Sequence, residues 1–282
     1  MNDSLGDRMK QPYENRTRAF LPRRTYTIIR LDGKAFHTYT RGLEKPFDKG
    51  LIEDIDSAVK AILPEIQGAQ FAYVQSDEVS ILLTDFEKPT TCAWFDGNVQ
   101  KICSVSASLM TREFDLFRTV RKLNRWIKEN GPIVSAEYDS TINENAAFDA
   151  RAFTIPDPTE VYNYFVWRNQ DAARNSLSMV AQSLYSHKDL QGKNGSQQQE
   201  MIFQKGINWA DYDDGLKNGR LITREIVVPE GVTPIPEHEE IAKAMLAQPH
   251  FRTLLSSWVV KPAWVFTRNP EPLKAMIPKY DC

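Results

Sequence analysis

The chain has 282 residues, with 35 Lys+Arg against 37 Asp+Glu and a net charge of -2. That length is one large domain or two small ones, and enough to bury a sizeable core. The charge balance excludes a protein that coats nucleic acid through bulk positive charge. With 41% hydrophobic and 26% charged residues the composition is that of a soluble globular chain. No apolar run approaches the roughly 18 residues of a membrane span, so no membrane partner is expected. The start, MNDSLGDRMK, has no apolar stretch behind its charges and predicts no secretory leader. Cys92, Cys103 and Cys282 cannot all pair, and none lies in a C-x-x-C. A disulfide framework and a Cys-ligated zinc are disfavoured, and a reducing, cytoplasmic setting is expected.

In chain order, the first feature is charge. Arg8 to Arg30 holds seven basic residues and one acid, Glu14. A second run, Arg112 to Lys128, holds six basic residues and two acids. Two dense runs in a near-neutral chain point to an anionic partner. Residues 25–31, TYTIIRL, predict a strand stopped by Asp32-Gly33. Residues 51–63 place Leu51, Ile55, Ala58, Val59 and Ile62 on one helical face, ended by Pro64. Residues 70–74 and 79–83 predict two strands joined by the polar tip Gln75-Ser76-Asp77-Glu78, a β-hairpin. A helix is predicted over 92–110, a strand over 147–155 and a long helix over 159–185.

The order strand, helix, strand, strand, helix, strand is that of an α+β, ferredoxin-like sheet. Residues 186–220 are poor in apolar residues and read as an extended loop or insertion. Three prolines in 229–238 predict a linker. The division is therefore a catalytic domain at 1–228 and a C-terminal extension at 229–282. The extension carries a short helical pattern and a strand-like 257–267.

Asp32 closes the first strand and Asp77 stands at the hairpin tip, and in this fold those strands are neighbours. Two carboxylates brought together repel unless a cation intervenes. Oxygen donors that leave room for water suit Mg²⁺, and two such ions clamp a phosphoryl transfer. Gly33, Lys34, Ala35, Phe36 and His37 follow Asp32. A glycine lets the backbone approach a ligand closely, and successive N–H groups with a basic side chain suit a triphosphate. The chain has no G-x-x-x-x-G-K-[ST].

These segments resemble the tRNA-His guanylyltransferase family. Arg30 to His37 is similar to its R-x-D-G-x-x-F-H, and Lys45-Pro46-Phe47-Asp48 to its K-P-x-D. Gln75 to Glu78 resembles its Q-S-D-E hairpin, Phe148 to Arg151 its F-D-x-R, and Trp167-Arg168 with Asp171 and Asn175 its W-R-x-x-D…N helix. The motifs keep family order over roughly residues 5–225. The resemblance implies a palm-like catalytic domain, shaped like those of polymerases and nucleotide cyclases. It implies 3′-to-5′ addition of nucleotides to a tRNA 5′ end, through a 5′-adenylylated or 5′-triphosphorylated end, with ATP and GTP as substrates. It also implies metal ligation (two Mg²⁺) by Asp32, Asp77 and the Gly33 carbonyl. Nucleotide contacts fall on residues 32–37, Ser76 and Asp77, with Lys45 as a triphosphate partner. Arg151, Arg168 and Asn175 form a possible second phosphate or RNA site, and a homotetramer is expected. The eukaryotic members carry H-I-N-N where this chain reads Ala173-Arg174-Asn175-Ser176. That departure resembles the bacterial and phage branch, associated with repair of truncated tRNA 5′ ends, so the resemblance implies either tRNA 5′-end repair or tRNA-His guanylylation.

Glu78 is expected to point away from Asp77 and to orient the hairpin. Trp167 is expected in the core. Two other classes share parts of this pattern. A cyclase-like palm enzyme would act on free nucleotides. A non-enzymatic RNA-recognition module would need an aromatic K/R-G-F/Y-G/A-F-V-x-F/Y strand, which is missing.

Overall fold

A computed structural model describes residues 4–131, 145–226 and 256–280. Among the described residues six strands form one antiparallel sheet: β1 (Tyr26–Gly33), β2 (Ala69–Gln75), β3 (Glu78–Leu83), β4 (Phe148–Ile155), β5 (Arg220–Ile226) and β6 (Ser256–Pro262), in the order β4-β1-β3-β2-β5-β6. The first four stand in the ferredoxin-like order that the chain pattern predicts. The α+β palm-like reading is borne out.

The helices are α1 (Leu5–Met9), α2 (Phe36–Tyr39), α3 (Lys49–Ile62), α4 (Val99–Asn130), α5 (Pro158–Leu184), α6 (His187–Leu190), α7 (Gly195–Gln204), α8 (Asp214–Lys217) and α9 (Glu271–Met276). Strand alternation decides which layer covers which face. Ile29, Leu31, Val79, Ile81 and Phe148 pack against α3 and α4, with Ile55, Val59, Ile62, Met110 and Phe114. Ile28, Phe71, Tyr73 and Leu82 pack on the other face against Val161 and Phe165 of α5. At about 1.5–3 kcal/mol for each fully buried large side chain, these two layers hold the sheet between the helices.

Three expectations are corrected. The helix predicted over 92–110 is a short 3-10 turn, Trp94–Gly97, followed by α4, which is 32 residues long. Phe95 and Asp96 take left-handed backbone, and the Asn98 side chain accepts from the Lys101 N–H to start α4. The pattern fades past Leu109 because α4's outer half lies partly in solvent, with Leu116 and Val120 exposed. Residues 186–220 are short helices rather than loop. Ser186 with Asp189 and Asn194 with Gln197 form reciprocal caps, and Ile202 anchors α7 on Val180 and Ala181. The last strand stops at Pro262, short of the predicted 267.

Residues 256–262 of the C-terminal segment join the sheet as β6. β6 pairs along all of β5, from Arg220↔Pro262 to Ile226↔Ser256. Phe266, Leu273 and Ile277 are buried beside Tyr73 and Phe165. The proline-rich linker and the helical pattern after 239 lie outside the described residues.

Candidate functional site

β1 sets the first half of the site. Ile29 and Leu31 face α3 and α4, so alternation turns Arg30 and Asp32 toward the α5 side. β1 pairs with β3 as far as Leu31↔Val79. Extended by one and two places, that register sets Asp32 opposite Glu78 and Gly33 opposite Asp77. The hairpin is tight, with Gln75 paired to Glu78 and Ser76 at φ 48. A positive φ at the first of two turn residues is what such a hairpin needs. Asp32 and Asp77 therefore meet at one end of the sheet although 45 positions separate them.

Electrostatics agree with that placement. Burial pushes the Asp77 carboxyl up to about 6, and the charges of Asp32 and Glu78 add to the rise. Hydrogen bonds from the Asp77 backbone and the Ser76 side chain only partly offset it. Among the described residues no group of three or more His, Cys, Asp or Glu side chains is placed to hold a metal. The oxygen donors that the fold brings together here are the carboxylates of Asp32 and Asp77. This suits Mg²⁺, which takes one or two carboxylates and completes its shell with water and substrate phosphate.

After β1 the chain folds over itself. The Lys34 N–H donates to the Ala147 carbonyl at 2.8 Å, and Ala35 takes left-handed backbone at φ 54. Phe36 turns into the core, 5.0 Å from the Tyr39 ring and 5.3 Å from Phe148. A Cβ on Gly33 would lie 2.1 Å from the Phe36 ring, so only glycine fits there. Phe36 thus pins the loop and leaves Lys34, Ala35 and His37 exposed. A left-handed residue at such a turn directs successive N–H groups into one concavity, where an anion binds.

Lys45 is exposed on the approach to α3. Asp48 of the same motif caps α3, accepting from the Leu51 N–H at 2.7 Å. An open cleft of about 580 Å³ lies beside the hairpin tip, lined by Phe47, Asp48, Ser76, Asn175, Met179 and Arg220 among others. Sequence reasoning missed Met179 and Arg220 here, since neither belongs to a motif. Asn175 thus lines the same cleft as Ser76. The other two residues of the suggested second site are placed differently. Arg151 is exposed on β4, 4.0 Å from Asp149. Arg168 is 3% exposed, donating to Glu78 at 2.6 and 2.8 Å and to Asp171 at 2.9 Å.

Glu78 is buried and also accepts from Arg30. One carboxylate therefore ties β3 to both β1 and α5, directly behind the hairpin tip. Asp171 is held below the usual carboxylate range: burial opposes this, but Arg174 and Arg168 outweigh it. Trp167 is not a core residue; it is 45% exposed. Its neighbours along α5, Phe165 and Arg168, take the inward positions instead.

The basic runs are largely engaged within the protein. Arg112 pairs with Glu65 at 2.8 Å, Arg118 and Arg121 with Asp54 at 3.1 and 2.6 Å, and Arg23 with Asp85 at 2.6 Å. Arg18 holds Glu14, and Arg24 donates to the Tyr280 hydroxyl.

Comparison with known proteins agrees with this architecture. A family model described as tRNAHis guanylyltransferase matches residues 6–156. A solved bacterial tRNA(His) guanylyltransferase-like protein in complex with ATP is 36% identical, covering 99% of this chain and 100% of its own, with a TM-score of 0.76. A second, in complex with GTP, is 35% identical over 98% and 99%, with a TM-score of 0.69. The tRNA(His) guanylyltransferase of Debaryomyces hansenii is 29% identical over 73% of this chain and 76% of its own. With more than half of the sequence matched by that model, the chain belongs to the tRNA(His) guanylyltransferase family and is a nucleotidyltransferase.

Proposed function

We propose that the chain adds nucleotides in the 3′-to-5′ direction to the 5′ end of tRNA, and that its role is repair of truncated 5′ ends. The observation that carries the reading is the Asp32–Asp77 pair beside the Gly33–His37 turn. Two relatives solved with ATP and GTP support these nucleotides as substrates. Ala173, in place of the eukaryotic histidine, supports repair over strict tRNA-His guanylylation.

Asp32, Asp77 and the Gly33 carbonyl would hold two Mg²⁺. When bound, the ions neutralise phosphate charge and acidify the attacking 3′-hydroxyl. The chain's own groups do the positioning. The backbone N–H groups of Ala35, Phe36 and His37 cradle the triphosphate, and exposed Lys34 and Lys45 meet its charge. The apolar wall of the cleft beside Ser76 takes the base. Glu78, fixed by Arg30 and Arg168, keeps the tip from drifting, and in-line attack depends on that placement. A 3′-hydroxyl then attacks the activated 5′ phosphorus, and AMP or pyrophosphate leaves. A homotetramer is the assembly that the family resemblance implies, and a reducing, cytoplasmic setting is the one that the unpaired cysteines favour.

The test supplies full-length and 5′-truncated tRNAs, each 5′-monophosphorylated or 5′-triphosphorylated, with labelled ATP and GTP. Label should enter truncated tRNA opposite its template strand. Addition to full-length tRNA-His alone overturns repair, and a cyclic nucleotide product overturns the class.

A further inference from the structure

Trp167 lies on the α5 side of the sheet, the side that carries Asp32, and is 45% exposed. Its indole is held rather than loose. Tyr164 meets it edge-on at 5.9 Å, the Arg168 guanidinium lies 4.3 Å from the ring centroid and that of Arg30 lies 5.9 Å away. Arg30 and Arg168 both donate to the same oxygen of Glu78. Two guanidinium groups gathered on one oxygen cannot sit on opposite faces of the indole, so the two cations do not sandwich the ring. Arg30 is two strand positions, about 7 Å, from Asp32. Arg151 is its register partner on β4 and carries an exposed guanidinium.

A fixed, half-exposed indole with an exposed cation beside it is the chemistry that takes a nucleobase and its phosphate. We propose that Trp167 is the stacking platform for the terminal base of the RNA 5′ end, with Arg151 on the adjoining phosphate. The inference rests on the reading that an RNA 5′ end comes to Asp32 and Asp77.

Fluorescence anisotropy of a 3′-fluorescein-labelled tRNA lacking its first 5′ nucleotide tests it, with the full-length chain. Trp167→Ala and Trp167→Leu should each weaken tRNA binding at least about fivefold. Trp167→Phe should stay within about twofold of wild type, because it keeps a π face. ATP binding should be unchanged in all three, and Arg151→Ala should lower the salt slope by about one. Wild-type tRNA affinity in Trp167→Ala overturns the proposal. So does Trp167→Leu matching Trp167→Phe, which would mean packing alone. A changed oligomeric mass on size exclusion with unaltered tRNA binding also overturns it, placing Trp167 against a second copy. A wild-type protein that binds tRNA through Trp167 but adds no nucleotide fails the proposed function and leaves the stacking site standing.

Discussion

Asp77 shows how a site residue works against its own fold. Its carboxyl sits up at about 6 through burial, with Asp32 and Glu78 adding to the effect. The unfolded chain titrates near 3.9. The folded state therefore binds the proton more tightly, and the group favours folding below about pH 4. That contribution is lost as pH rises through about 6. At pH 7.5 without divalent metal, Asp77→Asn should raise stability by about 1–3 kcal/mol, seen as a higher melting temperature. The same variant should lose nucleotide addition by at least about 100-fold at saturating Mg²⁺. A lower melting temperature in metal-free buffer would contradict the electrostatic account. Near-wild-type turnover would contradict the metal-ligand role.

Among the elements, the β2–β3 hairpin depends on a carboxylate that does no chemistry. Glu78 binds Arg168 from α5 and Arg30 from β1, all largely inside the protein. Removing one partner of such a cluster strands buried charge. Glu78→Ala should cost about 3–5 kcal/mol in urea unfolding. Replacing Glu78 and Arg168 together by leucine should recover part of that stability, yet leave nucleotide addition impaired, because the tip is no longer fixed. Equal stability of the single and double variants would show that burial of the unpaired arginine is not the cost. The hairpin itself was legible from alternation and its polar tip. The partners of Glu78 were not, because Arg30 and Arg168 lie 48 and 90 positions away.

On the scale of the whole molecule, the C-terminal segment is stitched to the catalytic sheet through α5. Buried Asn169 donates to the carbonyls of Asn218 at 2.8 Å and Trp264 at 3.1 Å, and its own oxygen accepts from the Phe266 N–H at 3.2 Å. Asn169→Ala should cost about 1–3 kcal/mol for each group left without a partner. Limited proteolysis should then cut the C-terminal segment before the rest of the chain. Uniform protection would show that the apolar contacts of Phe266 and Leu273 suffice. The near-neutral net charge also takes on meaning here. Most arginines of the basic runs that have partners reach carboxylates across the fold, as Arg121 does to Asp54 and Arg112 to Glu65. The strength of RNA binding therefore cannot be read from how many bases the runs contain.

The sequence by itself did not determine β5 (Arg220–Ile226), which falls at the end of a stretch read as loop, but it determined the first four strands, the order of the palm, the hairpin tip and the motif positions from Asp32 to Asn175. Each of these rests on local signals: alternation, turn chemistry and short-range spacing. It could not determine what depends on distant partners. Tertiary structure turned Arg168 inward and Trp167 outward, although they are neighbours on one helix, because Glu78 on a strand 90 positions away captures only the arginine. It also drew residues 256–262 into the sheet as β6, covering the edge of β5 that would otherwise stand open. Burial and long-range pairing are properties of the assembled fold, and no window of sequence contains them.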